Sequence, residues 1–320
     1  MVGEIMNRRQ ALFLSAVLAV ALGIAAVAYA LDEPPSGADA EKVSVVATFY
    51  PLGYMAENIG GDFVSVKTLI PFGVEPHSWQ PSVSDMVSLS SADVIVLNGA
   101  GLESWIESDL FSSLNLSGKV VVNTTDGLPL LPASDHGEEE HHHDGEYDPH
   151  TWISPYMAGL QAEQIFDALV AYDPGHADYY TARWETLKIR LDAIDLRYQQ
   201  ELANKTRSDV IVSHEAFGYL SERYGFEQHG VVGMSAEQQP SIEQIRSLVD
   251  MMVDKNITVL YVDPAYSDAY IVRLNDELER QTGREVMILE LYLGLGPVDG
   301  KDYLEQMESN LESLKAGLVG

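Results

Sequence analysis

From His176 to Lys205 the chain runs thirty residues without a glycine or proline, directly after Asp173-Pro174-Gly175. Within that stretch Tyr180, Trp184, Leu187, Leu191, Ile194, Tyr198 and Leu202 recur every three or four residues, the period of a single buried helical face. At 1.5 Å per residue this predicts one helix of about 45 Å. An element of that length divides whatever lies before it from whatever lies after it. A coiled-coil partner is the competing reading of the same apolar stripe.

The two sides repeat one pattern. Before the helix, residues 43–49 (VSVVATF), 64–70 (VSVKTLI), 94–97 (VIVL) and 119–123 (KVVVN) are short, β-branched and bounded by Gly, Asp or Pro, so they read as strands. Helical patterns at Tyr50 to Ile59, Val83 to Ser91 and Leu102 to Phe111 lie between them. After it, strands are expected at 209–213, 227–233, 258–262 and 285–289, with helices at Glu215 to Tyr224, Ser241 to Lys255, Tyr266 to Thr282 and Lys301 to Leu318. Strands alternating with helices predict parallel sheets. The fold class is therefore α/β: two (βα)-type lobes, residues 43–175 and 206–320, joined by one long α-helix at 176–205. Ligands of open α/β sheets sit at the carboxyl ends of strands, so a cleft between the lobes is the place to look for chemistry.

Two segments stand outside this pattern. Arg8 and Arg9 precede an apolar run from Ala11 to Ala28, and Ala28-Tyr29-Ala30 has the small-x-small form of a cleavage site. Residues 1–30 thus read as a signal peptide or an N-terminal membrane anchor, followed by a Pro/Gly/acidic linker at 31–42. The expected location is outside the cytoplasm, periplasmic or at the cell surface, with the leader either removed or kept as a tether. The second segment, Ser134 to Asp148 (SDHGEEEHHHDGEYD), holds four His and seven acidic residues in fifteen and no aliphatic side chain, so it reads as a solvated loop.

Charge and cysteine content narrow the chemistry. With 49 Asp+Glu against 19 Lys+Arg the net charge is −30, which excludes a nucleic-acid partner and suits a cationic ligand. The absence of cysteine removes disulfides, thiolate nucleophiles and thiolate zinc sites. Histidine remains. His77 follows the second strand in Pro71-Phe72-Gly73-Val74-Glu75-Pro76-His77, His150 follows Asp148-Pro149, and His214 directly follows Val210-Ile211-Val212-Ser213. All three are loop or strand-end residues near the expected cleft, and three imidazoles from separate segments can make a tetrahedral zinc site. An ordinary hydrogen-bonded role is the alternative for each, and it is the reading for His229, which lies inside an apolar strand. No enzyme is predicted. His214-Glu215 begins like a zinc-protease motif, but Gly218 stands where its second histidine belongs, and no Gly-x-Ser-x-Gly elbow or phosphate-binding loop is present.

Several ordered motifs carry a resemblance. They are Gly73-Val74-Glu75-Pro76-His77-Ser78-Trp79-Gln80-Pro81-Ser82, Asn98-Gly99-Ala100-Gly101-Leu102-Glu103-Ser104-Trp105, Asp148-Pro149-His150-Thr151-Trp152-Ile153-Ser154-Pro155, His214-Glu215-Ala216-Phe217-Gly218-Tyr219-Leu220 and Tyr303 to Leu311. Over about residues 42–318 the chain resembles the zinc- and manganese-binding solute-binding proteins of ABC importers. The resemblance implies two lobes bridged by a rigid helix and a transition metal held between them by His77, His150 and His214. Histidine at the third position favours Zn²⁺ over Mn²⁺. It implies an ABC permease with a cytoplasmic ATPase as partner, a monomer, and metal capture by His136, His141, His142 and His143 of the acidic loop. A fourth ligand after the last strand is open between Glu290, Asp263 and water, since counting back from Tyr303 and Met307 reaches Leu291. The alternatives are a manganese or iron importer component and, in another class, a metal-binding cell-surface adhesin.

Overall fold

The structure is a computed structural model that describes residues 42–107, 112, 114–133, 146–233, 239–265, 269–284 and 286–319. The expected leader, nearly all of the linker and most of the acidic loop lie outside these residues. Among the described residues no helix is long and apolar enough to cross a membrane.

Two four-stranded parallel sheets are present. The first joins β1 (Val43–Ala47), β2 (Val64–Thr68), β3 (Val94–Leu97) and β4 (Val120–Asn123) in the order β2-β1-β3-β4. The second joins β5 (Asp209–His214), β6 (Glu227–Val232), β7 (Val259–Val262) and β8 (Met287–Glu290) in the equivalent order β6-β5-β7-β8. Each sheet reverses its direction of growth beside its first strand, and that is where a crevice opens at the carboxyl ends. All four residues of β3 are buried, as expected of a Val-Ile-Val-Leu strand covered on both faces.

The helices are α1 (Tyr50–Gly60), α2 (Val83–Ser91), α3 (Pro155–Tyr172), α4 (Ala177–Glu201), α5 (Gly218–Tyr224), α6 (Ile242–Asp254), α7 (Ala269–Thr282) and α8 (Tyr303–Leu318). Reciprocal capping boxes start three of them, formed by Ser82 with Asp85, Ser241 with Gln244, and Asp302 with Glu305. The long helix α4 stops at Glu201 rather than Lys205. Lys205 turns back instead, its Nζ donating to the carbonyls of Leu202 (3.3 Å) and Tyr224 (2.8 Å), and the chain then enters β5. Helix α5 begins at Gly218, three residues later than its pattern suggested. Before it, the N–H groups of Glu215 and Phe217 are donated to the Gly233 carbonyl and the Gln228 side chain. Of the helix expected at Leu102 to Phe111, the described part is one 3₁₀ turn, Ser104–Glu107.

Helix α3 has no counterpart in the expected elements. It starts on Ser154-Pro155, and Met157, Ala158, Gln161, Ala162, Ile165, Ala168 and Leu169 are buried along it. It packs against α4, which also touches α1 and α8. The apolar stripe of α4 is thereby used within the chain, so it needs no coiled-coil partner. One apolar cluster runs from the first sheet through α1, α3 and α4 to α8, taking in Phe49, Trp152, Leu191, Tyr198, Leu291 and Tyr303. The two lobes share a core, and Trp152 and Tyr303 lie where they meet.

Two outcomes follow for stability. Leu191 is 1% exposed, so Leu191→Ala is expected to cost about 2–5 kcal/mol in a urea titration, from lost burial and the cavity left behind. Asp195 of α4 accepts Arg223 at 2.5 and 2.6 Å and the Tyr224 hydroxyl at 2.7 Å. Burial works to raise its carboxyl, but these bonds outweigh it and hold the group below the usual aspartate range. Stabilisation from a lowered carboxyl is complete above its unfolded value and is lost as pH falls. The unfolding-midpoint advantage of the native chain over Asp195→Asn should therefore shrink between about pH 5 and pH 3.

Candidate metal centre

The structure brings His77, His150 and His214 together between the sheets. His77 lies in the loop after β2, His150 in the segment entering α3, and His214 is the last residue of β5. The Nε2 atoms of His77 and His150 are 3.2 Å apart. The His150 ring centroid is 5.1 Å from that of His77 and 5.7 Å from that of His214. His150 and His214 are each only 2% exposed. Burial, and next the charge His150 would carry, push the His77 imidazole down to about 3. His214 shifts the same way, by burial first and then through His150 and His77. Both rings are neutral at physiological pH, the form that binds a metal.

Two of the three histidines sit in an acid-Pro-His sequence, and the local fold explains the spacing. Proline cannot donate, so the first free N–H after the acid is that of histidine, and the carboxylate curls forward to accept it. Glu75 accepts the His77 N–H at 3.1 Å, and Asp148 accepts the His150 N–H at 2.9 Å. Asp148 goes further. The same oxygen lies 2.8 Å from His150 Nδ1, placed to accept an Nδ1–H, the tautomer in which Nε2, facing His77, carries the lone pair.

The Asn98-to-Trp105 motif braces this segment from behind. Gly99, Ala100 and Gly101 all have positive φ (83°, 51° and 82°), folding the loop so that Glu103 reaches back to the end of β3. Glu103 accepts the N–H groups of Asn98 (2.7 Å) and Gly99 (2.9 Å) and the Thr48 hydroxyl (2.7 Å). Asn98 in turn donates to the Pro149 carbonyl at 2.9 Å and accepts from Gln161 of α3 at 2.9 Å. Toward the other lobe, the Trp152 indole donates to the Leu293 carbonyl at 2.8 Å, and Tyr303 bonds the Trp152 carbonyl.

The remaining candidates are placed as follows. Asp263, just after β7, accepts the N–H of Ala265 at 2.6 Å and of Leu293 at 2.5 Å. Burial raises its carboxyl to about 6, with the Glu290 charge acting in the same direction. Glu290 ends β8 opposite Val262, exposed and bonded by the Tyr292 hydroxyl. His136, His141, His142 and His143 lie outside the described residues. His229 is 2.9 Å from Asp209, and one ligand atom from each of Asp209, Glu227 and His229 lies within 4.8 Å of the others. That trio sits at the start of β5 and on β6, and the Lys255 ammonium already bonds Asp209. His229 is thus hydrogen-bonded to Asp209, as its reading as an ordinary hydrogen-bonded residue expects.

Two zinc–nitrogen bonds of about 2.0–2.1 Å at the tetrahedral angle hold their nitrogens roughly 3.3–3.4 Å apart. The His77–His150 separation of 3.2 Å is close to that edge. Residues 45–317 match the family described as Zinc-uptake complex component A periplasmic. The chain belongs to this family. Its members are transport components, not enzymes. The high-affinity zinc uptake system protein ZnuA of Bacillus subtilis (strain 168) is 30% identical over 290 residues, covering 87% of this chain and 88% of that one. The Zn(II)-bound ZnuA-like domain of Streptococcus pneumoniae AdcA superposes with a TM-score of 0.74 at 27% identity, over 88% of this chain and all of that domain. The laminin-binding protein Lmb of Streptococcus agalactiae, described as bifunctional with adhesin and metal-transporting activity, gives 0.75 at 28% identity over 87% and 99%. The two-lobed fold is thus that of the family.

Because the Asp209–His229 network lies at the opposite strand ends from the three imidazoles, His229→Gln should leave the metal content of the cleft unchanged in elemental analysis of the purified protein.

Proposed function

We propose that the chain is the extracytoplasmic zinc-capturing component of an ABC importer. It binds Zn²⁺ through His77, His150 and His214 and hands it to a membrane permease driven by a cytoplasmic ATPase. The observation that carries this is the pair of imidazoles, His77 and the buried His150, whose Nε2 atoms stand 3.2 Å apart, one of them oriented by a carboxylate. Nitrogen-only donors suit zinc better than manganese, which prefers carboxylate and water oxygen. The fourth position falls to Glu290 or to water. Glu290 would have to leave Tyr292 and swing toward the cleft, whereas Asp263 is engaged by two main-chain N–H groups. The acidic, His-rich segment raises the local concentration of cations at the mouth of the loop that ends in His150.

Ligand exchange is the chemistry. Elemental analysis of protein purified without chelator should find one tightly held zinc, lost in His77→Ala and retained in a variant lacking residues 134–146. Competition should show Zn²⁺ displacing Mn²⁺. Full tight-site zinc in His77→Ala, or a preference for Mn²⁺, contradicts this assignment.

A further inference from the structure

We infer that Tyr219 and Gly218, on the second lobe, are positioning residues for His150, a ligand carried by the first lobe, and that they act through Asp148. This rests on the zinc reading above and deepens it by naming what sets the affinity of that site.

Asp148 is 5% exposed and makes contacts in both lobes. Its carboxylate fixes the His150 main chain and ring, as described. Its carbonyl accepts the Tyr219 hydroxyl at 2.6 Å, and that same hydroxyl accepts the N–H of Leu131 at 3.1 Å. Asp148 N–H donates back to the Leu131 carbonyl at 2.9 Å. Tyr219, itself 4% exposed, therefore ties together the two chain segments that flank the acidic loop. Without it, Leu131 and Asp148 would lose this hydrogen-bonded link to the second lobe.

Gly218 secures the other side of the carboxylate. A Cβ built on this residue would stand 2.5 Å from Asp148 Oδ2, with Gln228 and Leu131 at 3.6 Å. No left-handed backbone accounts for glycine here, because Gly218 lies in helix α5 outside the positive-φ set. The space itself is what is required. Gln228 accepts the N–H of Phe217 at 2.8 Å and so holds the start of α5 against the carboxylate. Any side chain at 218 must push Asp148 Oδ2 away, and the opposite oxygen is the one that orients His150. A single stretch from His214 to Tyr219 thus supplies one ligand and seats another.

The test uses the full chain with Zn²⁺ affinity by competition against a chromophoric chelator, the visible spectrum of the Co²⁺-loaded protein, and urea midpoints without metal. Gly218→Ala and Tyr219→Phe should each weaken Zn²⁺ binding by on the order of tenfold, the low end of the effect of removing an outer partner of a metal-ligating histidine. The Co²⁺ bands should shift in both, since the geometry at His150 changes, while Glu222→Gln on the exposed side of α5 leaves both readouts as in the native chain. Combining Gly218→Ala with Asp148→Ala should cost no more than Asp148→Ala alone, because the new methyl then has no carboxylate to displace. Native affinity and spectrum in both single variants overturn the inference, as does full additivity of the double variant. If Gly218→Ala does not fold, Tyr219→Phe decides. Should the native chain bind no zinc beyond what His77→Ala binds, the functional reading fails as well, which separates the two failures.

Discussion

A neutral imidazole offers a cation only one of its two nitrogens, and the bond between His150 Nδ1 and Asp148 decides which. With Asp148 accepting the Nδ1–H, Nε2 is the nitrogen left to carry the lone pair, and the ring cannot rotate without losing that bond. Much of the surrounding chain serves to keep that arrangement in place. Asn98 holds the Pro149 carbonyl, Glu103 holds Asn98, and Trp152 and Tyr303 fasten the following residues to the second lobe. The central histidine is consequently among the most constrained side chains in the molecule, whereas His77, on a loop with exposed Phe72 and Val74, is the least enclosed of the three.

Shared burial between the lobes limits what can move. The apolar cluster does not stop at α4 but continues through Trp152 and Leu291 to Tyr303, and opening the lobes as rigid bodies would expose the part they share. Movement at lower cost is available in the loop before His77. Its attachments to the second lobe include one main-chain bond, Gly73 N–H to the Leu295 carbonyl at 3.0 Å, and the packing of Phe72 on Gly296.

Legibility in the sequence followed the range of the physics involved. Strands and most helices depend on local patterning, so VIVL, VSVVA and the α4 stripe could be read directly. Helix α3 follows the same rule: Met157, Ala158, Ala162, Ile165 and Leu169 are buried while Tyr156, Glu163, Asp167 and Ala171 are exposed, but its alanine-rich apolar face, with Gln161 buried among it, stands out less than the α4 stripe. The three histidines were readable as strand-end and loop residues, and the Pro before His77 and His150 announced rigid turns. What the acids two positions earlier do was hidden, because whether Asp148 reaches the imidazole ring depends on how that ring folds back. Glu290 shows the same limit. Strand spacing places it at the end of β8, but its bond to Tyr292 is a matter of packing.

Gly218 and Asp148 are seventy residues apart in sequence, yet the space each occupies is defined by the other. The two positions are therefore not free to vary one at a time. A lineage that gains a side chain at 218 must shorten or redirect the acid at 148, and one that lengthens the acid must keep the glycine. Paired substitution at these sites is the trace the contact should leave among related chains, and a glycine here records the shape of a neighbour, not the needs of its own backbone.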